Sequence, residues 1–239
     1  MNDTEHIISH FNIAGSVAEV KPLGNGLIND TFKVTTHGDA PDYVLQRINN
    51  SIFTDVDLLQ HNIDAVTTHI RRKLEAEGAV DIDRKVLQFV VSDTGKSYWQ
   101  DSDGSYWRMS VFIPRAFTHE TVNPEYSYYA GKAFGNFEAM LADMSEELGE
   151  SIPDFHNMEL RRRQLHDALK EDRAGRAAGV KDFVAQLEQY ADEMCRAQQL
   201  HREGRLPKRI CHCDTKVNNM LFDEEGHVLC VIDLDTVMP

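Results

Sequence analysis

The residues whose types and spacing could do chemistry crowd into one stretch, ICHCDTKVNNMLFDEEGHVLCVIDLD, residues 210–235. His212, Asp214 and Asn219 stand in the order H-x-D-x-x-x-x-N, and Asp233 follows after a short hairpin pattern. A carboxylate at the start of a loop can accept the proton of an attacking hydroxyl. An Asn five residues on, just past the bend, can turn its carbonyl oxygen toward a divalent cation, and Asp233 at a strand end offers the same ion a hard anionic oxygen. Asp214, Asn219 and Asp233 would then surround one transferring phosphoryl group, as in the catalytic loop of phosphoryl-transfer enzymes.

Competing chemistries are weaker. Cys211-His212-Cys213 carries two metal-liking types, but adjacent strand residues point to alternate faces and no second C-x-x-C pair exists, which argues against structural zinc. His212 reads instead as a residue that holds the loop through a backbone hydrogen bond. His166-Asp167 lies in a helical pattern with no matching histidine set and reads as surface, as does the basic run Arg161-Arg162-Arg163 with acids nearby.

The elements that must position these residues follow from periodicity. A helix is expected around 3–12, then strands in SVAEVKPL, DTFKVTT and DYVLQRI, separated by the turn formers GNGLIN and HGDAP. Residues 54–78 place Val56, Leu59, Ile63, Val66, Ile70 and Leu74 at steps of three and four, with Thr54 as the expected N-cap and Gly78 as the stop. KVLQFVV, SYWQ and SYWRMSVFI read as further strands, the last two flanking the turn DSDG. After the proline-bracketed connector IPRAFTHETVNP, helical periodicity runs through 125–144, 158–174 and 180–204. The end is a hairpin turning at Glu225-Gly226.

The totals bound the partners. At 239 residues and 41% hydrophobic content the chain can build a real core. Its net charge of -14 repels phosphate backbones and anionic lipid, so neither nucleic acid nor membrane is an expected partner, and a phosphorylated ligand needs a local cation. No window nears the ~18 uninterrupted apolar residues of a membrane span. Four cysteines make no disulfide framework and the first residues carry no signal pattern, so a reducing cytoplasm is the expected location.

On HCDTKVNNMLFD and VIDLDTVMP, with PLGNGLINDTFKV, YVLQRIN and IPDFHN, the sequence resembles the aminoglycoside phosphotransferase and choline kinase superfamily. Within it, the sequence is most similar to the N-acetylhexosamine 1-kinase group. The resemblance implies an α+β, protein-kinase-like, two-lobed fold: a nucleotide-binding lobe over 1–113 with an antiparallel sheet and one major helix, a connector over 114–123, and a helical lobe over 124–239. It implies Asp214 as catalytic base, Asn219 and Asp233 as Mg²⁺ ligands, ATP as donor, and the anomeric hydroxyl of an N-acetylhexosamine as acceptor. Choline, an aminoglycoside or homoserine would suit the same site, and a non-catalytic nucleotide-binding module is the rival reading.

Further site residues follow from the same resemblance. Gly24, Asn25 and Gly26, with Asn29 where a third glycine would stand, are the expected phosphate turn. Arg47 matches by position the strand-3 lysine, and His61 falls near the place of the helix Glu that would pair with it, leaving Asp57 or Asp64 as substitutes. Adenine is expected against backbone groups near Phe112, Ile113 and Pro114. Asp235, His212 and Lys216 are secondary candidates. The family continues into further helices that wall the acceptor, whereas only Leu234 to Pro239 follow Asp233. The sequence therefore reads as C-terminally truncated, with metal–nucleotide binding expected and efficient sugar phosphorylation impaired.

Overall fold

The computed structural model describes residues 3–24, 28–121 and 123–239. They form two compact units, Met1–Ser151 together with Ile210–Pro239, and Ile152–Arg209. The first long helix after the connector and the last thirty residues pack with the sheet-bearing part.

In the first unit α1 (Asp3–Ile8) precedes β1 (Val17–Pro22), β2 (Asp30–Thr36) and β3 (Tyr43–Ile48). Then come α2 (Val56–Ala76), β4 (Tyr98–Gln100) and β5 (Tyr106–Val111). The strands make one antiparallel sheet in the order β1-β2-β3-β5-β4. Strand side chains alternate between faces. Val34, Tyr43, Leu45, Trp107 and Met109 share one face and pack with Ile7, Ile8 and Phe11 into a core. Thr31, Gln46 and Arg108 share the other face, in register across β2, β3 and β5.

α2 buries Val56, Leu59, Ile63, Val66 and Ile70, as the spacing predicts. Its N-cap is Asp55 rather than Thr54: the Asp55 carboxylate accepts from the Leu58 N–H at 2.9 Å. The strand expected over 85–91 is reduced to the single bridge Phe89–Ser110. The reason is the shared edge of β5, whose residues 106–108 are already paired by β4, leaving only its far end to residues 88–90.

α3 (Pro124–Leu141) starts on Asn123, whose side chain accepts from the Tyr126 N–H. The hairpin β6 (Met220–Phe222) and β7 (Val228–Val231) turns where expected, with Gly226 at φ +85° and the Asp223 carboxylate accepting from the Glu225 and His227 N–H groups. Val217, Met220 and Phe222 pack on Phe134 of α3, which fixes the loop before β6 to a helix. The connector adds Phe117, paired through both backbone groups with Phe222.

The second unit holds α4 (Met158–Glu171), α5 (Lys181–Met194) and α6 (Arg196–Arg202). The one helix expected over 180–204 is divided at Cys195, the C-cap of α5. Arg162 joins α4 to α5 through Glu188 and Asp192, and His166 meets Glu188 at 2.7 Å. Arg202 on α6 pairs with Glu159 on α4. Among the described residues no helix is long and apolar enough to cross a membrane.

Candidate active site

Residues 211–219 form a loop whose backbone is tied down from inside. Cys213 takes φ +62°, the left-handed region that a residue with a Cβ occupies only when its surroundings impose it. His212 supplies that constraint. Its ring has no solvent exposure and meets Phe134 and Phe137 edge-on, with Nε2 2.9 Å from the Ile232 carbonyl and Nδ1 3.3 Å from the Asp214 N–H. These partners assign the neutral tautomer with Nε2 as donor and Nδ1 as acceptor.

Ile232 is held twice, since its N–H also donates to the Asn219 carbonyl at 2.9 Å. The hydrogen bonds of one histidine and one asparagine therefore join the loop to the residue preceding Asp233. Thr236 adds a third tie by donating its hydroxyl to the His212 carbonyl at 2.7 Å.

Burial holds the His212 pKa below its ordinary 6.5, because the charged form is poorly solvated there and Nδ1 would face an N–H as a second donor. The unfolded chain therefore takes up this proton first. The sign follows: stability is full above about pH 6.5 and falls as pH drops through 6.5 toward the lower folded value. Melting between pH 7 and 5 should show this loss, and His212→Gln should flatten that part of the profile even if it lowers stability throughout.

The two oxygens of Asp214 are in different situations. Oδ2 accepts from Asn219 Nδ2 at 3.0 Å and meets Lys216 Nζ at 2.7 Å. Oδ1 makes no hydrogen bond or ion pair with the described residues, and it is the oxygen available to a hydroxyl proton. Asn219, 3% exposed, also donates Nδ2 to the Asp214 carbonyl at 2.9 Å. With both amide bonds spent on Asp214, its own carbonyl oxygen is left as the acceptor end of the side chain.

Asp233 also stands in the left-handed region, at φ +60°. Its carboxylate makes no hydrogen bond or ion pair with the described residues. The residue is exposed to solvent, but the surrounding protein and then the negative charge of Asp235 push its pKa above the usual 3.8; Arg108 and Lys216 act in the opposite direction.

A divalent cation suits this donor set. Asn219 offers a carbonyl oxygen, Asp233 an unengaged carboxylate, and the negative charge gathered around Asp233 is the kind that a hard dication relieves. No three His, Cys, Asp or Glu side chains among the described residues converge as a complete metal set.

Asp235 behaves differently from Asp233. It is 3% exposed, its Oδ1 lies 2.6 Å from Nη2 of Arg108, itself 3% exposed, and its Oδ2 accepts from Asn29 Nδ2 at 2.6 Å. Its backbone carbonyl accepts from Ser151 at 2.8 Å. Asp235 is thus engaged at both oxygens, Oδ2 by a hydrogen bond and Oδ1 by an ion pair that lacks hydrogen-bond geometry, and it stands apart from the metal-liking set. Arg108 Nε donates to Gln46 on β3 at 3.0 Å, and its Nη1 has no partner among the described residues.

On the nucleotide side the expected residues separate. Gly24 takes φ +71°, which an L side chain rarely adopts, and the turn closes with the Leu23 N–H donating to the Thr31 carbonyl. Asn25 and Gly26 lie outside the described residues. Asn29 is buried and bridges, accepting from the Asn49 N–H while donating to Asp235.

Arg47 is not brought to this face. It bonds Ser105 and lies 3.7 Å from Asp30, on the face opposite Gln46, because neighbouring strand residues alternate. The inward cation is Arg108 of β5. Nor does α2 send it an acid: Asp57 is taken by Lys96 and Tyr98, Asp64 by Gln60 and Ser97, and His61 lies near Glu146 and Glu147. Phe112 has its N–H already spent on the Asp42 carbonyl at 2.8 Å, which leaves only its own carbonyl as a backbone partner for adenine. Ile113, buried, keeps backbone groups that make no hydrogen bond with the described residues.

Arg108 escaped sequence reasoning, although a signal was present. In SYWRMSV, residues 105–111, the alternation sets Tyr106, Arg108 and Ser110 against Trp107, Met109 and Val111, so one face of an interior strand is polar.

Three thiols frame the site without forming disulfides. Burial raises Cys211 above its usual range, lifts Cys213 to about 11 and Cys230, on β7, to about 12.

Residues 19–239 match the family described as phosphotransferase enzyme family. Among solved structures, the chain is similar to a spectinomycin phosphotransferase in complex with ADP and spectinomycin, at 14% identity and TM-score 0.60, covering 98% of this chain and 68% of that one. It is similar to an aminoglycoside phosphotransferase in a ternary complex with ADP and hygromycin B, at 14% identity and TM-score 0.51, covering 100% and 72%. A Plasmodium vivax ethanolamine kinase matches at 15% identity and TM-score 0.50, covering 100% and 59%. At these identities the likeness is one of fold, and the α+β, kinase-like arrangement is the shared one.

Proposed function

Because the chain belongs to the phosphotransferase enzyme family, we propose that it transfers the γ-phosphoryl group of ATP to a hydroxyl of a small acceptor, the anomeric hydroxyl of an N-acetylhexosamine. The observation that carries the reading is the divided carboxylate of Asp214: Oδ2 is fixed by Lys216 and Asn219, and Oδ1 is left to receive a proton.

In this reading Asp214 orients the acceptor hydroxyl and takes its proton as the O–P bond forms, ADP being the leaving group. Asn219 and Asp233 would hold Mg²⁺, which when bound neutralises charge on the phosphates. Gly24 and Asn29, on either side of residues outside the described set, would lie toward the phosphates, and the backbone of Ile113 is the adenine contact. Residues 1–113 then serve the nucleotide and 124–239 the acceptor. Structures of similar fold that contain ADP support the choice of donor. The N-acetylhexosamine rests on the resemblance to the N-acetylhexosamine 1-kinase group alone.

A panel of acceptors tests it: N-acetylglucosamine, N-acetylgalactosamine, choline, homoserine and an aminoglycoside, each with Mg-ATP, followed by ADP release and mass analysis of the product. A sugar 1-phosphate from the N-acetylhexosamines alone is expected. Product only from another acceptor overturns the substrate, and binding of Mg-ATP with no product from any overturns the enzyme reading in favour of a nucleotide-binding module.

A further inference from the structure

We propose that Arg108 and Asp235 form a positioning clasp that sets the direction of the Asp233 carboxylate. The inference rests on the reading of Asp233 as a metal-holding residue.

Four observations carry it. Asp235 is anchored by three separate segments: Arg108 of β5 and Asn29 at its two carboxylate oxygens, and Ser151 at its backbone carbonyl. Arg108 is itself fixed to the middle of the sheet through Gln46, which in turn donates to Thr31. Asp233, two residues upstream, sits in a left-handed conformation and makes no hydrogen bond or ion pair with the described residues, so its orientation is imposed through the backbone by the anchored residues 234–236. Finally, α2 reaches this region without a charge: Asn62 donates to the carbonyls of Gly149 and Val237.

The geometry also couples two functions. Asn29 leads into β2 from the expected phosphate turn, so one carboxylate holds both Asn29 and the turn presenting Asp233. A displaced Asp235 would disturb nucleotide and metal together. The competing account is a purely structural ion pair, which packed apolar groups of similar volume can replace without loss of stability.

The test separates these accounts with the protein and its Arg108→Lys, Asp235→Asn and Arg108→Met/Asp235→Leu variants. Three quantities are read: the melting temperature without nucleotide, the ADP dissociation constant with Mg²⁺, and the same constant without it. Asp235→Asn strands a buried guanidinium and is expected to lower the melting temperature. The double variant removes both charges and is expected to melt well above Asp235→Asn, losing only the Asn29 and Gln46 hydrogen bonds, yet to lose about 10-fold or more of the Mg²⁺-dependent gain in ADP affinity, the loss typical when groups supporting a metal site are removed. Arg108→Lys keeps the charge but not the fork, and is expected to show a smaller loss of the same kind with the fold intact. It decides between the accounts should the double variant fail to melt cooperatively. A double variant, or in that event Arg108→Lys, that keeps the parent's full Mg²⁺-dependent gain overturns the clasp and leaves the phosphotransferase reading standing. A parent that binds no nucleotide overturns that reading, and the clasp's role with it.

Discussion

Asp214→Asn is expected to lower phosphoryl transfer by about 10²- to 10⁴-fold, the usual contribution of a positioned general base. ADP affinity should stay within about 2-fold, as for an interaction made only on the way to the transition state. The asymmetry of the carboxylate is the reason. Asn can still present an oxygen to Lys216 and Asn219 in place of Oδ2, so the loop keeps its shape. The atom replacing Oδ1 would be an amide nitrogen, which cannot take a proton. Turnover with the preferred acceptor and calorimetric titration with Mg-ADP measure the two halves. Unchanged turnover, or collapse of nucleotide binding, would mean that Asp214 has another role.

The second large effect belongs to Asp233. Asp233→Asn should weaken Mg²⁺-dependent nucleotide binding by roughly 10- to 100-fold or more, with transfer falling at least as far. Stability should move the other way. A carboxyl whose folded pKa lies above its unfolded value binds protons preferentially in the folded state, so ionising it through that window lowers stability as pH rises. At neutral pH the ionised Asp233 is thus a cost to the metal-free fold, and the neutral amide removes it. The metal-free variant should melt above the parent at pH 7, with the difference vanishing near pH 4. A variant that melts lower at pH 7 would show that Asp233 is structural.

Much of this is legible in the residues. The strands around Val34, Leu45 and Met109, the helix on Leu59, Ile63 and Val66, and the hairpin at Gly226 all follow from periods of two and 3.6 and from turn chemistry. The order of His212, Asp214, Asn219 and Asp233 already points to their convergence. The hidden part depends on register. Whether Gln46 or Arg47 faces the site turns on a one-residue phase that inverts every side chain of β3. That Arg108 lies opposite Gln46, and Asp235 against Arg108, are contacts across 62 and 127 residues respectively, which no local pattern encodes. The lost strand over 85–91 has a similar cause: its propensity is sound, but β4 already occupies the edge of β5 it would need.

The thiols raised by burial turn the site into its own reporter. Only the thiolate reacts with alkylating reagents, so burial that raises Cys213 to about 11 and Cys230 to about 12 slows their labelling at neutral pH while the loop and hairpin are closed. Labelling quickens when either segment opens. Because Cys213 lies in the bend beside Asp214 and Cys230 in the strand leading to Asp233, their two labelling rates time separately the loosening of the base loop and of the metal strand, with no introduced probe.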